Sequence, residues 1–107
     1  MCMLKQQGEG IKFGRQLAAL ADPARRRILE LLKRTGCCSC SEIAMRDPGL
    51  CVCDLEASLG LRQPTITHHI QCLRRAGLIE TRKIGRWLYC RRNEEELDRL
   101  AEWIRAF

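Results

Sequence analysis

Aromatic residues are scarce in this sequence, with two phenylalanines, two tryptophans and one tyrosine among 107 residues. Prolines number only three, and no internal repeat or tract of biased composition is present. Those absences argue against fibrous and disordered classes. Apolar runs fall well short of the roughly 20 residues that cross a bilayer, so no membrane partner is expected. The opening Met-Cys-Met-Leu-Lys-Gln-Gln-Gly-Glu-Gly lacks the apolar stretch of a secretory signal. A cytoplasmic location is therefore expected. No nucleophile has an obvious neighbouring base, so no catalytic residue is assigned and no enzyme or organic cofactor is expected.

What the chain does have is positive charge and sulfur. Its formal net charge is +6. The segment Arg62–Arg92 holds eight basic residues against one acid, Glu80, which exceeds the excess of the whole chain. One third of the sequence thus carries the electrostatic footprint expected of a polyanion-binding protein. Eight cysteines are present. Without a secretory signal, and in a chain rich in amphipathic helix, free or metal-bound thiols are expected rather than a disulfide framework.

Periodicity predicts a single domain over 1–107, mainly α-helical, with one β-hairpin. Residues 1–10 read as a loose, polar lead-in. Between Ile11 and Ala21 the positions Phe13, Leu17, Ala18, Leu20 and Ala21 recur at helical spacing. Asp22 and Pro23 then start a second helix, whose apolar face is Ile28, Leu29, Leu31 and Leu32 and whose end is Gly36. A cysteine-containing insertion covers residues 36–49. A third helix is predicted from Val52 to Leu59, and a fourth from Pro64 to Gly77. The short Gly60-Leu61-Arg62 link between them predicts a helix-turn-helix.

Beyond Gly77 the period changes to that of strands. Leu78–Lys83 and Arg86–Arg92 are expected to pair across an Ile84-Gly85 turn, forming a wing over 78–92. Asn93 caps a last helix and is expected to form a capping-box pair with Glu96. Leu97, Leu100, Ala101, Ile104 and Phe107 make the apolar stripe of that helix. The expected fold is a winged helix-turn-helix.

In such a fold the second helix of the pair enters the DNA major groove with its first residues against base edges. Gln63, Thr65, Thr67 and His68 are the expected readers of double-stranded DNA. Arg62, Arg82, Lys83 and Arg86 are expected to flank them and hold phosphates, with Arg86 at the wing tip. His69 is expected to pack, since neighbours on a helix diverge by about 100° and one ion cannot easily take both rings.

Cys51 and Cys53 stand where the third helix begins. Two thiolates at this spacing converge only if Cys51 is still extended and outside the helix. The positive helix start favours the thiolate that binds soft metals. Cys72 and Cys90 are expected to be small buried or half-buried fillers rather than ligands.

The box Cys51-Val52-Cys53-Asp54-Leu55, the run from Leu59 to Ile70 and the run from Leu20 to Leu29 resemble the ArsR/SmtB family of winged-helix metalloregulators. The likeness covers roughly residues 14–106. It implies a homodimeric repressor, paired through its first and last helices, that leaves operator DNA when an inducer binds. The Cys-Val-Cys box is similar to that of the arsenite- and antimonite-responsive branch, which implies As(III) or Sb(III) as inducer. It is also similar to that of the cadmium- and lead-responsive branch, which implies Cd(II) or Pb(II). The arsenic branch commonly has a third cysteine three positions after the second, and here that position is Glu56. The third ligand is therefore expected from Cys37, Cys38 or Cys40, or from Cys2. A further family site, on the last helix, needs His, and residues 93–107 contain none. A thiol-redox-sensing repressor, with disulfides at Cys37, Cys38 or Cys40, is the remaining expectation for the same fold.

Overall fold

The computed structural model describes residues 3–33 and 50–107, with side chains from Gly10 onward. The elements run α1 (Met3–Leu20), α2 (Pro23–Leu31), β1 (Leu50–Cys51), α3 (Val52–Leu59), α4 (Gln63–Arg75), β2 (Ile79–Ile84), β3 (Trp87–Arg92) and α5 (Glu94–Arg105). The expected winged helix-turn-helix is present. No helix among the described residues is long and apolar enough to cross a membrane.

The loose lead-in expected over residues 1–10 is corrected, because α1 already begins at Met3. This stretch is polar and shows no apolar stripe, yet Lys5, Gln6, Gln7 and Glu9 are good helix formers. A glycine inside a helix costs only about 1 kcal/mol. The buried row of α1 is Phe13, Gln16 and Ala19, whereas Ile11 and Leu17 face outward at 60% and 40% exposure. Gln16 is buried because its Nε2 donates to the Ala76 carbonyl at 3.1 Å, tying α1 to the end of α4.

At the start of α2, the Asp22 carboxylate accepts the Ala24 N–H at 2.8 Å and Pro23 occupies the first turn. Ile28, Leu29 and Leu31 are buried, as the apolar pattern predicts. The helix stops at Leu31. Gly36, expected to end it, lies outside the described residues with the whole insertion 36–49.

Between α3 and α4 the chain turns on Gly60, whose φ of 66° is left-handed and whose N–H donates to the Glu56 carbonyl at 2.9 Å. Glycine alone enters that region without a Cβ penalty. From α4, Ile66, Ile70 and Leu73 reach the core at helical spacing. They meet Leu55 of α3, Leu78 and Ile28, all fully buried.

β2 and β3 pair from Ile79↔Arg92 to Ile84↔Trp87, so the wing turns on Gly85-Arg86, one residue later than expected. The left-handed φ of Gly85, 61°, sets that register. The sheet also has a third strand that periodicity did not reveal: β1 pairs antiparallel with β3 (Leu50↔Cys90, Cys51↔Tyr89), giving the order β1-β3-β2. Two residues are too few to show alternation.

Asn93 caps α5 by accepting the Glu96 N–H at 3.2 Å. The reciprocal half of the expected capping box is corrected. The Asn93 N–H is already donated to the Leu78 carbonyl at 2.9 Å. Freed from that role, the Glu96 carboxylate pairs with Lys12 of α1 and with Arg99. Phe13 and Trp103 stack at 4.9 Å and reinforce the α1–α5 contact.

Candidate thiol site and nucleic-acid interface

Cys51 closes β1 and is the N-cap residue of α3, with φ −83° and ψ 158°. It is extended and outside the helix, the geometry that convergence of the two sulfurs requires. Cys53 lies in the first turn of α3, and the two sulfurs meet in disulfide contact across a Cα–Cα separation of 5.4 Å. Cys51 is buried and Cys53 exposed, so the pair has one anchored and one accessible sulfur. Asp54 completes the local geometry: its Oδ2 accepts the Cys51 N–H at 3.2 Å. The ligating atoms of Cys51, Cys53 and Asp54 lie within 4.8 Å of one another.

For a trivalent metalloid two soft donors of this set fit and the third does not, because Asp54 offers hard oxygen. Glu56, on the next turn, does likewise. The candidate third ligands Cys37, Cys38, Cys40 and Cys2 lie outside the described residues.

The sulfur pair opens into a cleft of about 290 Å³. Its walls are α3 with Glu56, the start of α4 with Gln63 and Thr67, and the wing with Arg86, Trp87 and Leu88. Trp87 and Leu88 carried no signal of this role in the sequence, because only the β1–β3 pairing brings the wing beside Cys51. The Arg86 guanidinium lies over the Trp87 ring, 4.9 Å from its centre.

On α4, Gln63, Thr65 and His68 are exposed and Thr67 is partly exposed, while Ile66 and Ile70 turn inward. Arg62, Arg82, Lys83 and Arg86 are all exposed, and none has a carboxylate partner among the described residues. Two other wing cations are already engaged. Arg91 pairs with Glu80 at 3.4 Å, and Arg92 holds Glu94 and the Leu29 carbonyl.

His69 packs, its Nδ1 accepting from the Arg25 Nε at 3.2 Å, and His68 points away from it toward Cys72, with 3.7 Å between Nε2 and Sγ. Cys90 is a buried filler whose thiol is pushed up to about 12 by burial. Cys72 is half-buried on α4.

Comparison with known proteins places this geometry in a family. A helix-turn-helix domain model matches residues 20–82, more than half of the chain. The arsenic resistance transcriptional regulator ArsR1 of Pseudomonas putida is 36% identical over 87 residues, which make up 81% of this chain and 56% of that protein. The chain thus matches little more than half of that relative's length. Among solved structures, an ArsR-like transcriptional regulator from Rhodococcus superposes with a TM-score of 0.69 at 25% identity, covering 92% of this chain and 81% of that one. A homodimeric winged helix-turn-helix DNA-binding domain from Mycobacterium bovis shares the fold at 23% identity and a TM-score of 0.69, covering 95% and 82%. The fold is that of transcriptional regulators rather than enzymes. With a helix-turn-helix, a basic wing and a Cys-Val-Cys box in one frame, the chain belongs to the ArsR/SmtB family of winged-helix regulators.

Proposed function

We propose that this protein is a cytoplasmic repressor that binds operator DNA as a homodimer and is released when As(III) or Sb(III) binds Cys51 and Cys53. One observation carries the reading. The sulfur pair shares a cleft with Gln63, Thr67 and Arg86, three of the residues expected to meet DNA. A ligand held by those sulfurs therefore sits against the DNA-reading helix and the wing tip together. Coupling needs no long relay.

Gln63, Thr65, Thr67 and His68 read bases, while Arg62, Arg82, Lys83 and Arg86 hold phosphates. Dimerisation covers the exposed apolar residues Ile11 and Leu17 of α1, Ile104 of α5 and Phe107 just beyond that helix. It sets two α4 helices about one DNA turn apart, roughly 34–36 Å. The third metalloid ligand comes from Cys37, Cys38 or Cys40, or from Cys2. Thermodynamic reciprocity then requires operator DNA to weaken metalloid binding by the factor through which metalloid weakens DNA binding.

The disulfide contact between Cys51 and Cys53 favours a second reading, thiol-redox sensing. Cys37 and Cys40 also stand at the Cys-x-x-Cys spacing of a redox pair.

A gel-shift titration on the DNA upstream of the protein's own gene separates these readings. Arsenite, antimonite, Cd(II) and diamide are compared on wild type, Cys51→Ser, Cys53→Ser and a variant with serine at Cys37, Cys38 and Cys40. The proposal expects arsenite or antimonite to release wild type, and both single variants to bind DNA normally without release. Release by diamide alone favours redox sensing, and release by Cd(II) alone moves the signal to the cadmium- or lead-responsive type. If arsenite binds free and DNA-bound protein equally well, the repressor mechanism is wrong.

A further inference from the structure

A separate cleft of about 380 Å³ lies where α1, α2 and α4 meet. We propose that it binds a small organic dianion, a dicarboxylate or a phosphate ester, with a compact apolar body. The first argument is charge. Arg15 of α1, Arg25 of α2 and Arg75 of α4 all line this cleft, and among the described residues no Asp or Glu does. Arg15 and Arg75 are exposed and have no carboxylate partner among the described residues. Three guanidinium groups around one small space repel one another. An anion between them removes that repulsion and accepts their forked N–H groups.

Arg25 is the fixed member of the three. It is half-buried, its Nε donates to His69 Nδ1 at 3.2 Å, and its Nη1 donates to the Ala19 carbonyl at 3.4 Å. Those bonds tie α2 to α4 and to α1 and leave the Nη2 donors for a ligand. Arg15 and Arg75, on long exposed side chains, can close on the same ligand from α1 and α4.

The second argument is the rest of the lining, which is Ala18, Ala19, Ala76 and Cys72. These short side chains make the hollow and give it an apolar surface, which suits carbon better than a bare inorganic ion. The cleft is larger than the roughly 150 Å³ that holds benzene in a protein interior. A ring or short chain with its acidic groups therefore fits.

The third argument is position. Cys72, Arg75 and Ala76 belong to the last turn of α4 and its end, whereas Gln63 opens the helix. With 13 residues in α4, those ends are about 18 Å apart. None of the residues expected to meet DNA lines this cleft. Nor do Ile11, Leu17, Ile104 and Phe107, the apolar residues proposed for the dimer contact. Cys51 and Cys53 open into the other cleft, at the start of α4.

Calorimetric titration of the reduced 107-residue chain tests this, with phthalate and phenyl phosphate as dianions. Benzamide serves as the neutral body and inorganic phosphate as the bare charge. At least one dianion is expected to bind, the tighter one naming the acid group, with inorganic phosphate at least tenfold weaker and benzamide silent. Arg15→Gln and Arg75→Gln should each weaken binding about tenfold, the worth of a lost charge-assisted contact. Lysine at either position should recover only part of it. Ala18→Leu, which fills the cleft and keeps the charge, should also weaken binding. Serine at Cys51 and Cys53 should leave it unchanged, so this test and that of the metalloid reading stand or fall separately. The inference is overturned if neither dianion binds, if inorganic phosphate binds as tightly, or if binding survives the double glutamine variant. It also falls if the glutamine variants lose DNA affinity in gel shifts, or dimerisation in sedimentation, with no change in dianion binding.

Discussion

Cys51 lies opposite Tyr89 across the β1–β3 pair, and Tyr89 in turn lies opposite Arg82 across β3–β2. One cross-strand row therefore joins the anchored sulfur to a cation of the wing. Cys51 and Tyr89 are both essentially inaccessible, at 1% and 0% exposure, so neither moves without its neighbours. Binding of arsenite should change amide hydrogen exchange at Tyr89 and Arg82 more than at Ile28 in α2. Unchanged exchange along this row, alongside full release of DNA, would place the coupling in α4 alone.

Asp54 holds the β1–α3 junction by accepting the Cys51 N–H. Asp54→Ala should destabilise the fold by about 1 kcal/mol, the usual worth of such a cap. It should also weaken arsenite binding, because Cys51 loses its fixed position. Asp54→Asn retains an acceptor and should recover much of both. Urea unfolding and a thiol-competition titration measure the two effects separately.

The exposed cations that have no carboxylate partner among the described residues should report phosphate contacts through salt. Arg82→Ala and Lys83→Ala should each weaken DNA binding on every sequence and lower the slope of log K against log salt by about 0.9. Gln63→Ala should instead alter sequence preference with little effect on slope. An unchanged slope in both wing variants would remove those residues from the interface.

Glu96 links pH to the α1–α5 contact. The hydrogen bond from Lys12 holds its carboxyl below the ordinary value, with the Lys12 and Arg99 charges adding to this and burial opposing it. Its folded pKa is depressed, so its contribution is complete above the unfolded value, near 4.3, and is lost as pH falls through the folded value. Wild type should exceed Glu96→Gln in stability at pH 7, and the gap should close in acid. A gap that stays constant from pH 7 to about pH 3 contradicts this account.

Gly60 tests the helix-turn-helix link. A Cβ added there meets nothing within 4 Å, so the cost of Gly60→Ala is purely that of the left-handed backbone. The expected loss is about 1–2 kcal/mol in thermal or urea unfolding. Asn, which tolerates this region better, should cost less. Equal stability of Ala and Gly would mean that the turn relaxes.

Local chemistry made much of this architecture readable. Asp22-Pro23 and Asn93 announce helix starts through their side-chain geometry, Gly60 announces a helix end, and Ile66, Ile70 and Leu73 mark the face of α4 that must leave water. Each of these signals acts within one or two turns of chain, so no tertiary information is needed to read it. Convergence of Cys51 and Cys53 is equally local, since an extended residue followed by a helix start suffices.

Other features belong to contacts between distant segments. The buried row of α1 includes Gln16, a polar residue that takes a core position only because the Ala76 carbonyl is there to receive its Nε2. Glu96 left its expected cap because Leu78 had already taken the Asn93 N–H and Lys12 stood within reach. Strand β1 exists only because β3 offers an unpaired edge, and that pairing sets Trp87 beside the sulfurs. A residue's own chemistry names its possible partners, but only the folded chain brings one of them near enough to exclude the rest.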